Sequence, residues 1–208
     1  MTSKRNPVET RQTILKAAIS EFSAKGYTGA RIENITKKSG VNTRMIYHYF
    51  GGKEKLYIAT LEHVLGELRE EELKQDIHGE EPLEGMLKLF DFIQNHFATH
   101  PNLINLMSAE NILKARYLKK SRRIRKHSSS LIKLIGELLT RGMDKGLFRP
   151  GLKPLQLYVA MVSLSYFHLS NAYTLSTLFQ KDILSEEWRK DYCEQARCML
   201  IEYLKVPS

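Results

Sequence analysis

Ile32-Glu-Asn-Ile-Thr-Lys-Lys-Ser-Gly-Val-Asn-Thr-Arg-Met-Ile-Tyr-His-Tyr-Phe-Gly-Gly-Lys-Glu-Lys-Leu56 is the stretch whose reading decides the fold. Its apolar residues recur at helical spacing, which predicts a short helix near Ile32 to Lys38, a break at Ser39-Gly40 and a second short helix near Asn42 to Tyr49. A glycine able to take positive φ, followed by a Val41 expected to be buried, makes the break a tight turn. Helix, turn and helix in that order form a motif whose second helix can lie in the DNA major groove. Asn42, Thr43 and Arg44 open that helix, and their chemistry suits base edges: Arg pairs with guanine, Asn with adenine, and a Thr methyl packs on thymine. Tyr47, His48 and Tyr49 follow with hydroxyl and imidazole groups for phosphates. Lys53 begins the next helix, where free backbone N–H groups also favour an anion.

Outward from this stretch, the apolar spacing stays helical and only six prolines and twelve glycines interrupt it, so the fold class is all-α. Asn6, Pro7 and Glu9 resemble an N-cap, a first-turn proline and a capping-box partner for a helix that buries Ile14, Leu15, Ala18 and Phe22 and ends at Gly26. A long helix is expected from Lys53 to about Lys74, then a loop over Asp76 to Pro82, and helices from Leu83 to Thr99, from Pro101, and from Leu118 to Lys145. The helix from Leu155 to Leu169 is apolar nearly all round, which implies burial on more than one side. Ser185 caps a last helix that carries Trp188, Tyr192, Ala196, Met199 and Tyr203 along one seam.

Charge divides the chain. Of its net +9, residues 1–60 hold 11 Lys and Arg against 4 Asp and Glu, whereas residues 61–208 hold 21 against 19. A basic N-terminal region joined to a nearly neutral larger one fits a nucleic-acid reader with a second module. The competing class is an all-helical protein-interaction module whose helix-turn-helix only packs.

The residues Ile14-Leu-Lys-Ala-Ala, Phe22, Lys25-Gly-Tyr, Ile32, Ile35, Ser39-Gly-Val and Ile46-Tyr-His-Tyr-Phe-Gly-Gly-Lys-Glu-Lys-Leu-Tyr resemble the TetR family of bacterial transcriptional regulators over Ile14 to Tyr57. The resemblance implies a helix-turn-helix domain over residues 1–52 and an effector-binding and dimerisation domain over residues 53–208. It implies a homodimer that binds a near-palindromic double-stranded operator and a repressor released by a small-molecule effector. Thr43, Arg44 and Tyr47 match its recognition helix, and Tyr49 and Lys53 match phosphate-contacting positions. One departure is visible: Ala30-Arg31 stands where the family has a hydroxyl residue to cap the second helix. That removes a cap worth ~1 kcal/mol, and Arg31 instead offers a cation to a phosphate.

Beyond residue 57 the resemblance is one of helix layout. Phe90, Phe97, Met107, Glu110, Tyr166, Phe167, His168 and Asn171 are the candidate effector pocket, as apolar walls with a few polar anchors. From Lys114 to Lys126 eight of thirteen residues are Lys or Arg and none is acidic, which fits a solvated face, an addition to the DNA-facing field, or a site for an anionic effector. His96 and His100 share a helix face, but no third ligand accompanies them, and they are read as solvated surface rather than a metal site. Ser128 to Ser130 beside His127 lack a glycine-flanked elbow or an aligned acid, so no enzyme is expected. No cofactor is implied, and Cys193 and Cys198 read as reduced packing residues. The most apolar stretch, Leu157 to Leu169, is 13 residues long, short of the ~20 a membrane helix needs. Met1-Thr-Ser-Lys-Arg precedes no apolar segment or cleavage site, so the cytoplasm is the expected address.

Overall fold

The computed structural model describes residues 6–75, 77 and 79–207, and of residues 125–129 the backbone alone. Met1-Thr-Ser-Lys-Arg, Asp76 and His78 of the expected loop, and the side chains of Arg125, Lys126, His127 and Ser128 therefore lie outside the described residues. Among the described residues ten α-helices follow one another: α1 (Pro7–Gly29), α2 (Ile32–Ser39), α3 (Thr43–Phe50), α4 (Lys53–Lys74), α5 (Pro82–Thr99), α6 (Pro101–Ile112), α7 (Arg122–Asp144), α8 (Pro154–Ser170), α9 (Ala172–Phe179) and α10 (Glu186–Leu204). Among the described residues the only β pairing is an isolated antiparallel bridge between Phe148 and Lys205.

Local signals set most of the boundaries. Asn6 caps α1 by accepting the Val8 N–H at 3.0 Å, and Ser185 caps α10 by accepting the Trp188 N–H at 3.3 Å. Proline stands in the first turn of α1, α5 and α8, where its missing N–H removes no helical bond. Gly26, at φ 62° and ψ −179°, leaves helical geometry as expected, and one further turn runs past it to Gly29. One expectation needs correction. The helix expected from Leu118 begins at Arg122, since Leu118–Lys120 is a single 3-10 turn closed at Ser121.

The chain packs as two compact units, Met1–Glu67 with Asn102–Arg125 and Leu68–Pro101 with Lys126–Ser208. Packing thus cuts α4 near its middle and brings α6 into the N-terminal unit, where the sequence reading sets a boundary at Lys53. In the first unit Ile14, Ala18, Phe22, Ile35, Ile46, Leu56, Tyr57 and Leu61 have no exposed surface and join α1 to α4 in one core. In the second, α5 packs against α8 and α10. Phe90, Ile93, Leu89 and Met161 are its fully buried centre.

Candidate nucleic-acid interface

Two glycine sites build the motif. Gly40, at φ 66° and ψ 25°, ends α2 in the left-handed conformation that side chains disfavour, and its N–H reaches the Thr36 carbonyl at 2.9 Å. Gly51 and Gly52, at φ 74° and 122°, turn the chain from α3 into α4. A Cβ on Gly51 would also meet the Lys55 side chain at 3.1 Å. Val41 is half-buried rather than fully buried.

α3 buries Ile46 and Phe50 and turns Thr43, Arg44, Tyr47 and His48 outward. Tyr47 is 57% exposed, a large surface for an aromatic ring to leave in water. Tyr49 is half-buried, with its ring edge-on to His48 at 5.1 Å. Asn42 is exposed, but its Oδ1 accepts the Met45 N–H at 3.1 Å. Asn42 thus caps α3, a duty that stands beside the adenine contact expected of its amide.

No side chain caps α2, as the Ala30-Arg31 departure implies. A residue the sequence reading missed makes up the loss. The buried Glu21 of α1 accepts the Arg31 N–H at 3.3 Å, the Asn34 amide at 2.9 Å and the Lys38 ammonium at 3.1 Å. Burial is the largest single influence on Glu21 and opposes its charge, yet the hydrogen bonds from Asn34, Lys38 and Arg31 together hold the carboxyl below its ordinary range. The Arg31 side chain is left exposed. Partial burial, and then the charge of Arg31, push the Lys53 ammonium below its ordinary value against the pull of Glu33 and Glu21. Two cations that repel each other at a helix start form a site that an anion would stabilise.

Beneath Lys53 lies an aromatic platform. Its Nζ sits 4.8 Å from the Tyr27 ring centre, and Tyr27 packs on Tyr57 at 5.2 Å and on Tyr117 at 4.2 Å, with Phe22 behind Tyr57 at 4.8 Å. Tyr117 belongs to the segment between α6 and α7, 90 residues along the chain from Tyr27, so no local pattern announces the contact.

Of the eight candidate pocket residues, six fall in the C-terminal unit and two, Met107 and Glu110, in the N-terminal one. Phe97 meets Tyr166 edge-on at 5.5 Å, and His168 is buried at 4.4 Å from Tyr192. Burial takes His168 down to about 4, so it is neutral at pH 7. Phe90 is core, Phe167 is 56% exposed, and Asn171 donates back to the Phe167 carbonyl at 3.0 Å. Met107 and Glu110 fall in the other unit. There Glu110 Oε2 accepts the backbone N–H groups of Tyr117 and Leu118 at 3.2 and 2.9 Å, a structural duty of which the sequence carries no sign. A groove of 740 Å³ in the second unit runs along α7 to Leu152 and Pro154, and none of the eight lines it. His96 is also corrected: it is 2% exposed, stacked on His100 at 3.9 Å and bonded to Glu71 at 3.2 Å, not solvated surface. The reading also missed a buried group in which Arg69 of α4 bonds both Glu72 and Tyr158 of α8.

A helix-turn-helix with an exposed polar second helix, set in a basic helical unit of a chain that continues into a larger helical unit, defines a DNA-binding transcriptional regulator. The family described as "Bacterial regulatory proteins, tetR family" matches residues 14–60, and that described as "Tetracyclin repressor-like, C-terminal domain" matches residues 82–199. The chain belongs to the TetR family. It is 35% identical over 183 residues to the HTH-type transcriptional repressor NicS of Pseudomonas putida, covering 88% of this chain and 86% of that protein. The fold is similar to that of a TetR family regulator from Marinobacter aquaeolei, at TM-score 0.71 and 20% identity over 96% of this chain and 97% of that one. It is also similar to the ketosteroid transcriptional regulator KstR2 of Mycobacterium tuberculosis, at TM-score 0.70 and 17% identity over 100% and 97% of the two chains. Among the described residues no helix is long and apolar enough to cross a membrane.

Proposed function

We propose that this protein is a cytoplasmic homodimeric repressor that holds a near-palindromic operator and releases it when a small molecule binds the C-terminal unit. The observation that carries the DNA reading is the outward face of α3, where Thr43, Arg44 and Tyr47 stand exposed above a buried Ile46 and Phe50. Arg44 and Thr43 read base edges in the major groove, with Tyr47 beside them. His48, Tyr49, Lys53 and Arg31 hold phosphates on either side, and Asn42 keeps the start of the recognition helix in shape. Similarity to a named repressor over most of both chains supports the sign of regulation.

Dimerisation is supported by apolar surface left on the C-terminal unit. Leu155, Val159 and Phe167 of α8 are 54 to 59% exposed, and Met199 and Tyr203 of α10 are 56 and 43% exposed. A pair of such helices from each subunit makes a four-helix interface. Two copies would present their recognition helices about one helical turn apart, ~34 Å, or a multiple of it, hence the operator symmetry. Effector binding shifts the population toward the arrangement with the wrong separation, by its differential affinity for the two.

Selection of bound fragments from random duplex DNA tests this directly. The expected result is a near-palindromic motif whose preference at one base pair per half-site relaxes in Arg44→Ala. Recovery of no motif, with a 24 kDa monomer in sedimentation, would leave the protein-interaction reading.

A further inference from the structure

The basic segment between α6 and α7 is a rigid part of the N-terminal unit. Lys114 and Ala115 both stand in the left-handed region, at φ 55° and 56°, a conformation that residues with a Cβ keep only where their surroundings impose it. Glu110 imposes it: its carbonyl accepts the Ala115 N–H at 2.7 Å and its carboxylate takes the N–H groups of Tyr117 and Leu118. Tyr117 is buried against Tyr27 and Tyr57, and Ser121 donates to Glu62 at 2.6 Å.

This scaffold carries a row of cations. Arg116 and Lys120 lie 5.6 and 5.4 Å from the centre of the Tyr117 ring, whose neighbour Tyr27 carries Lys53. Lys120 pairs with Glu54, the residue after Lys53, at 2.5 Å. Lys114, Arg116, Lys119 and Arg122 are exposed and have no carboxylate partner among the described residues. Two packed tyrosine rings thus join Lys53 to a second cluster of unneutralised charge. Like charges held this close on one unit repel, since the ~8 Å screening length at physiological salt does not separate them.

We propose that this connector is a second DNA-backbone contact, gripping phosphates that flank the bases read by α3. The inference rests on the reading of this unit as DNA-binding and adds a contact from outside the helix-turn-helix. Duplex DNA supplies a phosphate every ~3.4 Å of axis on each strand, so a cation row that continues from Lys53 meets the same backbone further along. The cations specify no base. They add affinity, and salt sensitivity, to every sequence alike.

The test is the binding of the full-length protein to a 40-bp duplex of unrelated sequence, titrated with NaCl from 50 to 200 mM. The triple variant Arg116→Gln, Lys119→Gln, Arg122→Gln should lower the slope of log K against log salt by ~2.7, at ~0.9 for each phosphate that the variant no longer neutralises. Over that range the wild type should then lose about 40-fold more affinity than the variant. Its preference for the selected operator over unrelated DNA should stay unchanged. A charge-restoring version, Arg116→Lys with Arg122→Lys in the wild-type background, should keep the wild-type slope, which separates charge from folding. An unchanged slope in a folded triple variant overturns the inference, including the case in which only the response to an effector alters. If the slope holds while Arg44→Ala still relaxes operator preference, the connector contact fails and the regulator reading stands. If Arg44→Ala changes nothing, the reading of the unit itself fails.

Discussion

The two units answer water differently. In the N-terminal unit the exposed face of α3 is polar and cationic, and its buried charge, Glu21, has three donors within hydrogen-bond reach. In the C-terminal unit α8 and α10 leave large apolar side chains in water, with Leu155, Val159, Phe167 and Met199 each more than half exposed. Its buried charges form a pair, Arg69 and Glu72, and His168 is held neutral. A surface selected to meet phosphates stays wet until DNA arrives, whereas an apolar face of that extent is stable only against another apolar face. The difference is what supports proposing DNA for one unit and a second subunit for the other.

The largest expected effect breaks the buried pair of the C-terminal unit. Arg69→Ala should cost about 3 to 5 kcal/mol in urea unfolding, because it leaves the Glu72 carboxylate without its cation in a site with no exposed surface. Replacing both residues with Leu should cost far less, since no charge is then left buried. Equal losses in the two variants would show that packing, not charge, is at stake there.

In the N-terminal unit the matching change is Glu21→Ala, expected to cost about 1 to 3 kcal/mol by leaving the Arg31 N–H and the Asn34 amide without their acceptor. Acid distinguishes the two units further. Glu21 titrates below its unfolded value of about 4.5, so its contribution is complete above that pH and is lost as pH falls below it. His168 titrates at about 4, below its unfolded 6.5, so the unfolded chain takes up the proton first and stability falls as pH drops from 6.5 toward 4. Unfolding midpoints measured from pH 7.5 to 3.5 should therefore decline earlier through the C-terminal unit, and His168→Leu should reduce that early decline, the remainder coming from His96, which burial also holds below its ordinary value. A decline starting only below pH 4.5 in both proteins would contradict the burial of a neutral His168.

On DNA, Arg44→Ala should weaken operator binding by ~1 to 3 kcal/mol and relax one position, while Lys53→Ala should weaken all sequences alike and lower the salt slope by ~1. Fluorescence anisotropy at several salt concentrations separates the two outcomes. The smallest effect belongs to the cap of α3. Asn42→Ala should cost about 1 kcal/mol of thermal stability, and Asn42→Asp should restore it, because either side-chain oxygen can take the Met45 N–H. If Asn42→Asp keeps stability but alters base preference, Asn42 has a reading role beyond the cap.

The sequence by itself determined the all-helical class, the helix-turn-helix and the outward placement of Thr43, Arg44 and Tyr47. These follow from spacing, glycine and caps within a few residues, so the physics that sets them is local. Even the missing cap of α2 was legible at Ala30-Arg31. Tertiary structure decided what stands at long sequence separation: that Glu21 ties down the start of α2, that Tyr117 packs on Tyr27, and that Tyr158 meets Arg69. It also made Glu110 the support of a strained turn, and took His96 from solvent to the interior. A helix face records that a residue is buried but not what it is buried against, because the partner comes from another helix whose register only the assembled core selects.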